Sequence, residues 1–218
     1  MRYIGWAAAI GLLCALPVAS ANDVAGNTDE LTRVLGQARK PATLNALSMV
    51  QGCGPVGCGV TLGGLVIDTD TGSVRRSNGR LLSWVPTGAV ADLAEVNWEP
   101  LRGYGVRHAG RNWGQCLEFA HTGLGNSGRA QRWRTLALVP ADGRTAYRFT
   151  GYWAACAALV QGTQAGEIIL PTVEPVQPGA SALRLVWNHC DVRRCVRDID
   201  TRSVEGNPGS EDGRLTLR

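Results

Sequence analysis

The chain has 218 residues, of which 44% are hydrophobic and 18% charged, a composition that excludes a disordered polypeptide and suits one large domain or two small ones. The formal net charge of +4 is too mild to point to nucleic acid. Lys40 is the single lysine among 22 Lys plus Arg, which reads as the product of a GC-rich bacterial genome.

Residues 1–21 read as a secretory signal peptide. Met1-Arg2 is a short positive start, Ile4 to Leu16 an apolar core, Pro17 its break, and Ala19-Ser20-Ala21 a small-residue cleavage site. The apolar run is too short to span a bilayer and no second one follows, so no transmembrane anchor is expected in the mature chain. Cys14 leaves with the leader, and Leu13 before it is bulkier than a lipidation site expects. The rest, 22–218, is expected to be a single β-rich domain, periplasmic or secreted, in an oxidising compartment.

Asn27 to Arg39 predicts a short helix. Asn27 caps it, Glu30 completes a capping box, and Leu31, Val34, Leu35 and Ala38 repeat at the spacing of one buried face. Pro41 stops it. Residues 42–52 are ambiguous between helix and strand.

From there the pattern is β. Strands are expected over Val60 to Asp68, Arg80 to Val85, Gly105 to His108, Gln115 to Ala120, Arg132 to Val139, Thr145 to Ala158, Glu167 to Val173, Ala182 to His189, Val196 to Ser203 and Arg214 to Leu217. Turn clusters such as Asp70-Thr71-Gly72, Ala141-Asp142-Gly143 and Asn207-Pro208-Gly209 separate them. Many short strands at this spacing predict a mainly β fold, an antiparallel sandwich or barrel stapled by disulfides. One short helix is expected over 87–95. The stretch 162–181, with Pro171, Pro175 and Pro178, reads as an edge strand leading into a surface loop, with a domain boundary there as the alternative.

The mature chain keeps six cysteines, Cys53, Cys58, Cys116, Cys156, Cys190 and Cys195, and an even set in an exported chain implies disulfides. Cys53–Cys58 and Cys190–Cys195 share a C-x4-C spacing that suits hairpin loops whose ends meet. Cys116 then pairs with Cys156. Ile67-Asp68-Thr69 and Ile199-Asp200-Thr201, each downstream of one C-x4-C, hint at a duplicated hairpin.

Catalytic signals are weak. Gly125-Asn126-Ser127-Gly128 matches the nucleophile loop of trypsin-like serine proteases over four common residues, but His108 and His121 lie too close upstream, so a surface turn is expected. Asp68 to Gly72 opens like a calcium loop but lacks its later glycine and glutamate, and a hairpin turn is the simpler reading. No metal-ligand set and no cofactor motif is legible. Asp92, Glu95, Glu99 and Glu118 are carboxylates that a glycosidase-type site would need in pairs.

The binding signal rests on six tryptophans, Trp84, Trp98, Trp113, Trp133, Trp153 and Trp187. Most are expected in the core, with Trp113 left exposed because it follows a polar, glycine-bearing stretch. With Arg107, Arg111 and Arg132 it would form an aromatic-cationic patch. The function expected from these features is a bacterial envelope binding or accessory protein that recognises a protein or a glycan. A hydrolase of envelope polymers, using carboxylates or a histidine brought together by the fold, is the alternative.

Overall fold

The computed structural model describes Leu31, Leu35 and residues 39–54, 57–87, 96–121, 133–177, 181–206 and 215–218. These are mainly β, as two sheets. Of the helix expected over Asn27 to Arg39, Leu31 and Leu35 are buried, Arg39 lies in an exposed bend, and the other residues lie outside the described ones. So do the expected turn at 125–128 and all but Thr87 of the expected helix at 87–95. None of the described helices is long and apolar enough to cross a membrane.

The small sheet has four antiparallel strands in sequence order, β2 (Met49–Gly54), β3 (Gly57–Leu62), β4 (Leu65–Asp68) and β5 (Val74–Arg76). The single strand expected over Val60 to Asp68 is thus a hairpin. Gly63 and Gly64, at φ +50° and +80°, supply the left-handed conformations that its two-residue turn requires.

The large sheet runs β1 (Thr43–Ala46), β7 (Val96–His108), β8 (Arg111–His121), β9 (Trp133–Pro140), β10 (Thr145–Tyr152), β12 (Ile168–Pro175), β13 (Leu183–Cys190), β14 (Cys195–Gly206) and β15 (Leu215–Leu217). β11 (Val160–Gln161) adds to β12, and β6 (Ser83–Thr87) to β10. The β6–β10 pairing is parallel, an exception to the expected antiparallel arrangement. β12 is interior and not an edge strand. It pairs with β13 along its whole length, and Pro171 falls where its other side passes from β11, at Ile168 and Ile169, to β10, at Val173. A proline is tolerated where no ladder partner stands opposite. The strand expected over Thr145 to Ala158 stops at Tyr152, where Trp153 turns to φ +53°, and Cys156–Ala158 form a 3-10 turn.

The large sheet curls until the segment entering β1 meets β11, with Ala42 N–H donating to Leu159 at 2.9 Å and Lys40 accepting from Gln161 N–H at 2.8 Å. This is one isolated bridge between Pro41 and Val160, and among the described residues no closed barrel forms. The concave face holds a cluster that includes Val106, Trp113, Cys116, Leu136, Leu138, Tyr147, Phe149 and Ile168. Alternation sends Leu117, Phe119, Ala137, Val139 and Ala146 to the opposite face, where Val60, Leu62, Leu65, Ile67 and Val74 of the small sheet cover them. A third cluster joins Leu31 and Leu35 to Tyr152, Trp153, Leu185 and Trp187.

All three expected disulfides are present. Cys53–Cys58 and Cys190–Cys195 join residues directly opposite in their hairpins, with Cα atoms 4.0 and 4.1 Å apart. Cys116–Cys156 spans 5.9 Å and ties β8 to the 3-10 turn. The hint of duplication fails on topology: Ile67 lies on the strand after its hairpin, whereas Ile199 lies on the same strand as Cys195.

Candidate functional site

The face of the small sheet turned away from the core carries two parallel rows of residues. Cross-strand register sets Val50, Thr61, Val66, Arg75 and Leu81 side by side in one row. Val50 is 67% exposed, Val66 37% and Leu81 54%. The adjacent row is Gly52, Gly59 and Asp68, with Ser73 bonded beyond it. Gly52 and Gly59, directly opposite each other, leave that row without side chains on β2 and β3, so the apolar row stands there as a ridge beside a trench. The resulting groove holds about 340 Å³ and is lined by both rows. A Cβ on Gly52 would meet nothing within 4 Å, whereas one on Gly59 would lie 2.8 Å from the Ile67 carbonyl oxygen. Gly52 therefore shapes the groove, and Gly59 also allows close backbone approach.

Asp68 closes one end. Its carboxylate accepts from the backbone N–H of Thr71 at 2.9 Å and of Asp70 at 3.0 Å, a capped turn and not an ion loop. The Thr71 N–H is the main cause of a carboxyl held below its usual range, with the Asp70 N–H and the nearby Arg75 charge acting in the same direction. The groove thus offers an apolar ridge with one fixed negative and one positive group. It can bind; no acid–base pair lies among its lining residues.

The patch expected from sequence does not assemble. Trp113 is 3% exposed, packed in the concave core, and its indole N–H donates to the Gly166 carbonyl at 2.8 Å. A β-bulge, where Val106 pairs with Gly114 and Arg107 with Asn112, leaves Trp113 without a partner on β7 and turns its side chain to the Cys116 face, a direction that the polarity of the preceding loop does not carry. Trp113, Trp153 and Trp187 are buried, and Trp84, Trp98 and Trp133 are half-buried against the second and third clusters. Arg107 and Arg111 are exposed at the β7–β8 hairpin, and the Arg107 Nε donates to the Gly110 carbonyl at 3.1 Å. Arg132 lies outside the described residues.

Three buried or half-buried carboxylates have definite partners. Glu118 accepts the Cys156 N–H at 2.8 Å; burial pushes its carboxyl up, against that hydrogen bond and the charges of Arg102 and Arg134. Glu174 is 1% exposed and paired with Arg197 and, at 3.6 Å, Arg184. Glu167 meets the His189 Nδ1 at 2.9 Å. Asp92 and Glu95, and the side chain of Glu99, lie outside the description, so no carboxylate pair of the glycosidase kind is seen among the described residues.

Sequence reasoning missed the groove. Its signal was present, since glycines flank both cysteines of the first pair, in Gly52-Cys53-Gly54 and Gly57-Cys58-Gly59. Only the register shows that Gly52 and Gly59 face each other. No protein-family model, curated protein or solved structure matches the chain.

Proposed function

We propose that this is an exported bacterial binding or accessory protein of the cell envelope, and that the outward face of its small sheet takes an extended segment of a partner protein. The groove beside the Val50–Thr61–Val66 ridge is the observation that carries this reading. A sugar-binding surface would use aromatic faces, and none of the lining residues is aromatic, which favours a polypeptide over a glycan. Four strands span roughly 14 Å at the usual strand spacing, about four residues of extended chain. A fitting segment places apolar side chains against Val50 and Val66 and a charged one against Asp68 or Arg75. The leader at 1–21, with three disulfides in the mature chain, supports export to the periplasm or beyond. A short N-terminal helix carrying Leu31 and Leu35 against the third cluster belongs to the same reading.

The test uses the mature, oxidised protein as bait on solubilised envelope, followed by titration of the purified retained protein. Gly52→Val fills open space and Val66→Lys charges the ridge, so both should abolish binding while leaving the fold unchanged. Binding that survives both variants, or a retained species that is a glycan, would refute the proposal. The hydrolase reading has one specific support, the Glu167–His189 pair, whose half-exposed imidazole is oriented as in a general base. Turnover of an envelope polymer that is lost in His189→Ala would favour it instead.

A further inference from the structure

The curl of the large sheet, and not strand order, brings four of its connections together, since β10 and β12 start at opposite ends of their antiparallel pair. They are the β7–β8 hairpin at 108–111, the β9–β10 loop at 141–144, the β11–β12 loop at 162–167 and the β13–β14 loop at 191–194. They touch: Ala141 N–H donates to the Trp113 carbonyl at 2.8 Å, the Trp113 indole holds Gly166, and the Val192 carbonyl approaches Gly143. Lys40 joins them, since Thr43 pairs with Arg107.

This end is basic. Lys40, Arg107, Arg111, Arg144, Arg193 and Arg194 are all exposed there. The carboxylates on the same loops are Asp142, Glu167 and Asp191. Two of the three are engaged: Glu167 by His189, and Asp191 by the backbone N–H of Arg193, at 2.6 Å, and of Arg194, at 2.8 Å. The 191–194 loop is a rigid tip. Cys190–Cys195 staples it from behind, Asp191 caps it from within, and its backbone closes from Asp191 N–H to the Arg194 carbonyl at 2.9 Å. At the tip Val192, 44% exposed, stands beside the two arginines.

We infer that this loop end docks on the surface of an anionic lipid bilayer, its arginines on headgroup phosphates and Val192 in the interface. A cluster of cations is drawn to the negative surface potential of such a bilayer. An apolar side chain at the same height has a place in the headgroup–acyl boundary but none on a hydrated polyanionic polymer. This goes beyond the groove, which lies on the other sheet and shares none of its lining residues with this loop end.

Flotation of the mature protein with phosphatidylglycerol–phosphatidylcholine vesicles tests it, against pure phosphatidylcholine and with dextran sulfate as a soluble polyanion. The protein should bind the anionic vesicles at low salt, release at high salt and ignore the neutral ones. Each arginine at the surface contributes about a factor of five, so Arg193→Gln with Arg194→Gln should weaken partitioning roughly thirty-fold. Val192→Ser should weaken it further, and Gly52→Val should leave it unchanged, which separates this contact from the groove. Near-ultraviolet circular dichroism should be identical for all variants. Failure to bind anionic vesicles, or binding indifferent to the arginine pair, overturns the inference. Equal binding to dextran sulfate with no effect of Val192→Ser overturns it as well, by showing a general polyanion site.

Discussion

The Trp113 indole N–H donates to the Gly166 carbonyl at 2.8 Å, tying the centre of the concave core to the loop that leads into β12. Trp113→Ala should therefore destabilise the protein by about 3–5 kcal/mol, as for other buried aromatic truncations. Trp113→Phe keeps most of the packing, loses the hydrogen bond, and should cost about 1–3 kcal/mol. Urea unfolding of the two variants checks the order. An unchanged midpoint for Trp113→Ala would restore the exposed aromatic that the sequence suggests.

The three disulfides close loops of very different length, with separations of 40 residues for Cys116–Cys156 and 5 for each of the others. In the chain-entropy view, removing the long link by double substitution to alanine costs about 4 kcal/mol, against about 2 for either short one. Thermal unfolding of the three double variants should rank them in that order. Equal losses would show that hairpin shape, and not loop closure, governs their contribution.

Leu62 of the small sheet lies over Gly103 of the large one, where an added Cβ would come within 2.2 Å of Leu62 Cδ1. Leu62 is 1% exposed and has little room to retreat. Gly103→Ala should cost about 1–3 kcal/mol by overpacking, and Leu62→Ala about 2–5 kcal/mol by cavity formation. The double variant should cost less than the sum by more than about 1 kcal/mol, because the truncated side chain admits the new methyl. Additive losses in a double-mutant cycle would mean that the two sheets do not meet at this pair.

Arg76 reaches from β5 across to the large sheet, its Nη2 donating to the carbonyls of Pro140 at 2.6 Å and Gly143 at 2.8 Å. These are charge-assisted bonds on partly buried groups, so Arg76→Ala should lose roughly 1.5–3 kcal/mol. The lysine ammonium sits one bond closer to the backbone than the Arg76 Nη2, so Arg76→Lys should recover only part of the loss. Full recovery by lysine in chemical denaturation would reduce the contact to simple charge.

Burial pushes the Glu167 carboxyl up, but hydrogen bonds from His189 and the Gln164 and Thr163 backbones, with the His189 charge, hold it below its ordinary value of 4.5. A depressed native value means that the unfolded chain binds the proton more readily. The stabilisation is present above the ordinary value and is lost as pH falls through the native one. Glu167→Gln should therefore melt lower than the parent at neutral pH, with the gap closing below about pH 4. A gap that stays constant down to acid would assign the loss to packing.

What the sequence by itself determined are properties carried by neighbouring residues. The hairpin disulfides read from a C-x4-C spacing, and the β class from alternation and turn residues. With the two local bridges paired, Cys116–Cys156 followed by elimination. Even the Asp68 turn was legible, because its cap bonds reach only two and three residues along the chain.

Only the tertiary structure decided which strands stand side by side and which face of each is covered. Gly52 opposite Gly59, β6 running parallel to β10, and four loops converging around Trp113 all depend on contacts between distant segments. Alternation along a strand says that successive side chains point opposite ways; it does not say which way has a neighbour. Alternation alone would put Trp113 on the face of Arg111; the bulge that skips Trp113 in the β7–β8 register turns it into the core while Arg107 and Arg111 stay exposed.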